Sequence, residues 1–255
     1  MTAIDLNSDL GEAFGAYRLG DDAALFGLIS SANVACGFHG GDPRVMEATV
    51  AAAAAAGVAV GAHPGFLDLA GFGRRIIAAS PDEVRTDVLY QIGALDAFCR
   101  AAGVRLVHVK AHGALYHAAI ADPALAGAIA AAVAAYDPAL ILVGQPGTAL
   151  VTAGTAVGLA VAREGFADRA YHRDGRLVSR HRPGSVIADP EEAAERALRL
   201  VAEGTVTTIE GDDLALTVDT LCIHSDTPGA VAIATAIRRR FAEAGVEVRP
   251  LQPLS

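Results

Sequence analysis

The stretch Arg105-Leu106-Val107-His108-Val109-Lys110-Ala111-His112-Gly113 decides the fold. A short apolar run with the composition of a buried strand, Arg105–Val109, stops on an ammonium and an imidazole. Lys110 and His112 stand two residues apart, so on an extended chain both point to one face. The same construction recurs along the chain. Ala3–Leu6 runs into Asn7-Ser8-Asp9-Leu10-Gly11-Glu12, and Asn33–Cys36 into Gly37-Phe38-His39-Gly40-Gly41-Asp42. Val58–Ala62 runs into His63-Pro64, and Ala139–Val143 toward Gln145-Pro146. Gly158–Ala162 runs into Arg163-Glu164 and then Asp168-Arg169, and Leu216–Ile223 into His224-Ser225-Asp226.

Helix-like runs separate these strands: Asp21–Ser30, Pro43–Ala56, Pro81–Ala101, Pro123–Ala135, Gly147–Ala153, Pro190–Ala202 and Pro228–Ala244. Pro43, Pro81, Pro123 and Pro190 suit a first helical turn, where no N–H is needed. Asp42, Ser80, Asp122 and Asp189 precede them as N-caps, and Gly57, Gly103, Gly204 and Gly245 stand where helices stop. Val206–Ile209 reads as one extra short strand. Strand and helix alternate as in a parallel sheet with crossover helices. An open sheet gathers its ligand groups at one switch point, whereas a closed (β/α) barrel rings its carboxyl end with them. Charged or imidazole groups follow almost every strand, so the expectation is a closed barrel forming a single domain over residues 1–255.

Composition narrows the partners. Apolar residues are 53% and charged ones 19%, which excludes a disordered chain. A net charge of −9 argues against nucleic acid and against an anionic membrane surface. Cys36, Cys99 and Cys222 are far apart and odd in number, so neither a disulfide framework nor a Cys-x-x-Cys zinc module exists, which suits a reducing compartment. Pro138–Ala162 lacks charge but contains prolines and glycines, and reads as strand, turn, short helix and strand rather than a membrane span. The opening residues show neither the basic nor the apolar region of a signal peptide, and the expected location is cytoplasmic.

The 20 Lys and Arg residues include one lysine, Lys110. A composition that prefers arginine everywhere else retains a lysine where a compact ammonium has a use. Asp9 and Glu12 supply carboxylates for acid–base work or for a metal. With His39 and His63, Asp9 makes an Asp-His-His set sufficient for one divalent ion. Asp42 follows His39, where the helix beginning at Pro43 also needs a cap. Arg74 and Arg75, after Gly71-Phe72-Gly73, suit a carboxylate or phosphate. His224 to Gly229 opens the last helix. No Gly-Lys-Ser/Thr loop, Gly-x-Ser-x-Gly elbow or Gly-x-Gly-x-x-Gly turn occurs, so a nucleotide would need another route.

Several blocks in order resemble the LamB/YcsF lactam-utilisation family: Asp5–Glu12, Asn33–Asp42, Gly61–Pro64 with Gly71–Arg75, Val109–Tyr116, Glu164–Tyr171, Leu177–Arg180 and Leu221–Asp226. The chain departs from that pattern at Gly40, Ala111, His117 and Ser225, none of which removes a charged group. The resemblance implies a seven-stranded (β/α) barrel of the glycoside hydrolase/deacetylase type. It implies the A subunit of an ATP-dependent 5-oxoprolinase, which opens 5-oxoproline to glutamate with subunits B and C as partners. ATP, with magnesium, is then a co-substrate. A protein-bound metal, the subunit that holds ATP and homo-oligomer formation stay open. Asp9, Glu12, His39, Lys110 and His112 are the catalytic candidates, with Asp9 or Glu12 as base, His39 or His112 as acid, and Lys110 as anion stabiliser. Asn7, His63, Arg74, Arg75, Glu164, Arg169, His224 and Asp226 are the candidates for binding substrate or phosphate. Two competing readings are a stand-alone metal-dependent deacetylase or amidohydrolase, and a non-catalytic carboxylate-binding subunit.

Overall fold

The computed structural model describes residues 2–252. In chain order the elements are β1 (Ala3–Leu10), α1 (Asp22–Leu25), β2 (Ser31–Ala35), α2 (Pro43–Ala56), β3 (Ala59–His63), α3 (Pro81–Ala101), β4 (Leu106–Lys110), α4 (Gly113–Ala121), α5 (Pro123–Tyr136), β5 (Ile141–Gly144), α6 (Ala149–Ala156), β6 (Ala160–Phe166), α7 (Pro190–Glu203), β7 (Thr205–Thr207), β8 (Asp213–Ala215), β9 (Thr220–Ile223), α8 (Ala230–Glu243) and β10 (Glu247–Val248). Strands β1, β2, β3, β4, β5, β6 and β9 pair in parallel, and β9 returns to β1, so the ring closes as expected. The short β10 adds to the start of β1, and β7 and β8 form an antiparallel hairpin outside the ring.

The helices form where their caps and periodicity direct. Asp42 accepts from the Arg44 and Val45 amides, Asp122 from Ala124, and Asp189 from Glu192. Ser80 and Glu83 complete a reciprocal capping box. Helix α3 buries Val84, Val88, Ile92 and Leu95, one face of a 3.6-residue period, and packs on α5. Each such fully buried side chain contributes roughly 1.5–3 kcal/mol. The outer faces of the strands, with Leu6, Val34, Val60, Val109, Leu142 and Leu221, complete this core.

The inside of the ring is different. Along β1 the alternate residues Asp5, Asn7 and Asp9 are buried, facing Ser31 and Asn33 of β2 and Thr220 of β9. On β4 the register with β3 skips from Val60–Leu106 to Gly61–His108. This bulge at Val107 places His108 and Lys110 on the inside, beside Gly61. A small apolar group of Ile141, Val143 and Ala162, with Val107, Ala160 and Leu251 against it, fills the remainder.

Four expectations need correction. Strand β1 extends to Leu10 and β6 to Phe166, so Asn7, Asp9 and Glu164 lie within strands rather than in loops after them. Their polarity reflects an interior of fixed polar partners, not the end of a strand. The helix expected over Asp21–Ser30 is only Asp22–Leu25. Helix α4 is additional, and its first amides are met by the backbone carbonyls of Gly73 and His112 in place of a side-chain cap. The extra strand near Val206 is Thr205–Thr207. Among the described residues no single helix is long and apolar enough to cross a membrane.

Gly61 is required by the ring packed over it: a Cβ at this position would overlap the His108 imidazole. Gly61→Ala is expected to lower unfolding stability by about 2 kcal/mol or more, the usual scale of overpacking. Urea denaturation of both proteins checks this, and equal midpoints would contradict it.

Candidate active site

At the carboxyl end of the barrel lies a cavity of about 410 Å³. Its floor starts with the lone lysine. Lys110 Nζ lies 2.8 Å from Asp9 Oδ1, 2.9 Å from Glu164 Oε1 and 3.1 Å from Cys222 Sγ. Asn33 Nδ2 donates to Asp9 Oδ1 at 2.8 Å and to Asn7 Oδ1 at 2.7 Å. The His108 ring meets Asn33 Oδ1 at 2.8 Å. Burial opposes the Lys110 charge, but Asp9, Cys222 and Glu164 outweigh it and hold the pKa well above its ordinary value. Burial likewise opposes the Asp9 charge, yet His63 and Lys110 hold that carboxyl well below the usual range. Burial and then Lys110 push His108 down to about 3, a neutral ring.

Deeper in the barrel the Asp5 carboxylate accepts from Ser31 Oγ at 2.6 Å, Ser30 Oγ at 2.7 Å and Thr220 Oγ1 at 2.5 Å. Despite these donors, burial raises Asp5 to about 6.

Beside Asp9 three imidazoles and a carboxylate converge. Glu12 Oε1 lies 3.2 Å from His39 Nε2 and 3.3 Å from His112 Nδ1. His112 Nδ1 is 3.1 Å from His63 Nε2. The far nitrogens of two rings are anchored on backbone carbonyls: His63 Nδ1 on Lys110 O at 2.7 Å, and His112 Nε2 on Phe72 O at 2.8 Å. Burial, then Asp9 and Asp226, push the Glu12 carboxyl well above the usual range. Burial and neighbouring imidazoles hold His39 and His112 well below theirs. The Asp9-His39-His63 set expected from sequence is not what the fold assembles. Asp9 keeps His63 Nε2 at 3.4 Å but is engaged by Lys110 and Asn33, and Glu12 is the carboxylate that lies against His39 and His112.

At the mouth, Asp226 meets Arg74 Nη2 at 2.5 Å and Arg180 Nη2 at 3.7 Å. The loops after β3, β6 and β9 are thereby joined across the opening. His224 Nδ1 bonds Asp168 at 3.0 Å and stacks on Phe166. Thr227 Oγ1 donates to the same Asp168 at 2.7 Å.

Most sequence candidates therefore share one cavity: Asp9, Glu12, His63, Arg74, Lys110 and His112, with His224 and Asp226 at its rim. Arg75 is not among them. It donates to Asp68 at 2.8 Å and braces its own loop. Arg169 reaches the wall, but its guanidinium is engaged by the Val178 and Ser185 carbonyls. Asp42 caps α2 and also holds the Gly15 amide at 2.7 Å. Sequence reasoning passed over Asn33, His108, Thr220 and Arg180. The first three follow from period-two alternation on strands whose neighbours were already candidates. Arg180 sits in an irregular loop without that alternation, and the signal it had was its place at the end of the Leu177–Arg180 block.

A parallel barrel with ionisable groups gathered in one carboxyl-end cavity belongs to the class of (β/α)-barrel enzymes. Within it, the LamB/YcsF family pattern matches residues 4–255, and the chain belongs to that family. A Symbiobacterium thermophilum protein, named as the A subunit of 5-oxoprolinase, is 57% identical over 96% of this chain and 94% of its own length. A Thermus thermophilus protein of the same name is 57% identical over 96% of this chain and 98% of its own. The crystal structure of a lactam utilization protein from Thermus thermophilus superposes with a TM-score of 0.94 at 55% identity, covering 98% of this chain and all 100% of that one. A T48 deacetylase, at 14% identity and a TM-score of 0.51 over 98% of this chain and 88% of its own, shares the fold alone.

The Asp5 carboxyl titrates near 6 when folded and near 3.8 when unfolded, so the folded chain holds the extra proton between those values. The stability this contributes is complete below the unfolded value and is lost as pH rises through about 6. Its size is up to roughly 3 kcal/mol. Asp5→Asn should flatten the difference in unfolding free energy between pH values on either side of that window. An unchanged slope would contradict the assignment.

Proposed function

We propose that this chain is the A subunit of an ATP-dependent 5-oxoprolinase, acting with partner subunits B and C to open 5-oxo-L-proline to L-glutamate. Two features support the reading. Relatives that are 57% identical over nearly the whole chain carry that name. The cavity places guanidiniums at its mouth and an ionised carboxylate on its floor, which matches a small lactam bearing a carboxylate. The second is the observation that carries it, because 5-oxoproline needs both. Arg74 and Arg180 exchange part of their hold on Asp226 for the substrate carboxylate.

A lactam is an unreactive amide. Transfer of the ATP γ-phosphoryl group to its oxygen makes the carbonyl carbon electrophilic. Water adds at that carbon, the C–N bond breaks as the ring nitrogen takes a proton, and an acyl phosphate of glutamate remains; a second water then displaces phosphate from it, so that glutamate, ADP and phosphate are the products. Asp9 accepts the proton of the attacking water. Lys110 has both near carboxylates as partners, so its part is to keep Asp9 ionised and fixed rather than to bind a free anion. The whole of residues 1–255 is read as one domain serving this cavity.

Glutamate release from 5-oxoproline by the purified chain, with and without subunits B and C and ATP, tests the proposal. Release only from the complete mixture is expected; release by the chain alone without ATP would overturn it. In the complete mixture Asp9→Asn should lower kcat by about 100- to 10,000-fold, the scale of a lost general base. Arg74→Ala should act mainly on KM, as loss of uniform binding does. The reverse pattern would exchange their roles.

A further inference from the structure

We infer that Glu12, His63 and His112 form a binding site for one first-row divalent metal ion, of the zinc type, with His39 positioning the carboxylate. The argument begins with protons. His63 Nδ1 lies against the Lys110 carbonyl at 2.7 Å, and His112 Nε2 against the Phe72 carbonyl at 2.8 Å. A carbonyl only accepts, so each of these nitrogens carries the hydrogen. In a neutral imidazole the other nitrogen then bears a bare lone pair. Those two lone pairs, His63 Nε2 and His112 Nδ1, face each other at 3.1 Å. Glu12 Oε1 lies 3.3 Å from His112 Nδ1 and belongs to the same group of donor atoms within 4.8 Å.

Three acceptors thus converge in a buried place. A proton serves two atoms along a line, whereas a cation accepts lone pairs from several directions at once. The spacing fits one: metal–ligand bonds of about 2.0–2.1 Å at tetrahedral angles place ligand atoms about 3.3–3.4 Å apart. Backbone carbonyls that fix the tautomer of each ring are the usual support of metal-binding histidines. Two imidazoles and one carboxylate leave a further coordination position, and the cavity borders all three residues.

Ring planes decide which histidines take part. A metal lies in the plane of each imidazole that holds it. The His63 and His112 planes cross at 89°, so they share a line on which an ion can sit. The His39 and His112 rings are stacked, 3.7 Å apart and 1° from parallel, so they share no point. His39 therefore does not bind alongside His112. Its Nε2 meets Glu12 Oε1 at 3.2 Å and steadies that oxygen. Asp9 Oδ1 lies 3.4 Å from His63 Nε2 on the other side, but it already receives Lys110 and Asn33, so it is a neighbour of the site and not one of its ligands.

The test uses the isolated chain without lactam, ATP or partners, so its result is separate from that of the lactam reading. Protein stripped with a chelator is titrated with zinc and, separately, cobalt(II) by calorimetry and visible absorption. One ion per chain is expected, with the strong visible bands of low-coordinate cobalt(II). The cobalt(II) protein should also show two paramagnetically shifted, exchangeable imidazole N–H signals, from His63 and His112. Glu12→Gln, His63→Gln and His112→Gln should each weaken binding by about a hundredfold or more, and His39→Asn by about tenfold. Circular dichroism checks that each variant is folded, and the N–H count of the unaltered protein decides the matter if one is not. Absence of saturable one-to-one binding, binding that survives all three ligand substitutions, or an N–H count other than two would overturn the site.

Discussion

A buried ammonium held between two buried carboxylates is the constraint around which this barrel is arranged. Removing Lys110 from water is costly, and attraction within the interior offsets the cost only when geometry and the remaining hydrogen bonds are satisfied. Asp9 on β1 and Glu164 on β6, the two strands that flank β9, reach across the ring and meet at the Lys110 nitrogen of β4. That meeting needs a closed ring of this diameter. It also needs the bulge at Val107, without which alternation would turn His108 and Lys110 outward into the helices. From the ion pair the remaining interior follows. Asp9 requires Asn33, Asn33 requires His108, and His108 requires a residue without a side chain at Gly61.

The same arrangement explains how ionisation is distributed. Two acidic residues three positions apart in sequence are driven in opposite directions. Asp9 is held ionised by His63 and Lys110, while Glu12, away from the ammonium, is raised by burial and by Asp9 itself. A chain that needs one carboxylate charged and another responsive to its surroundings achieves it here by placing the Lys110 ammonium against Asp9 and not against Glu12.

Much of this was legible in the sequence, and the unequal success has physical reasons. The barrel showed in the alternation of elements, and the helix starts showed in Asp42, Ser80, Asp122 and Asp189, because capping is local chemistry. The ends of β1 and β6 were misplaced because polar residues commonly end strands, whereas here Asn7, Asp9 and Glu164 point into a polar interior. Lys110 stood out by its rarity, and its carboxylate partner Asp9 by its loop-like setting. Which carboxylate would join the histidines was not readable. That choice depends on the direction of Gly11, at φ 67°, which carries the chain from Asp9 round to Glu12. Arg74 and Arg75 illustrate the same limit: adjacent residues of identical chemistry, one at the cavity and one tied to Asp68, are separated by loop geometry alone.

The solitary buried lysine has a consequence for how this molecule meets reagents. Every other member of the Lys and Arg set is an arginine, so the folded exterior of the described residues offers no ε-amine. Amine-directed crosslinkers, fluorophores and coupling resins would find no side chain to modify on the native protein. Lys110 becomes available only when the ring opens and its two carboxylates let go. Acylation at that single side chain is therefore a built-in clock for opening of the barrel, read by mass on the one peptide that contains Lys110, apart from the α-amine at the chain start.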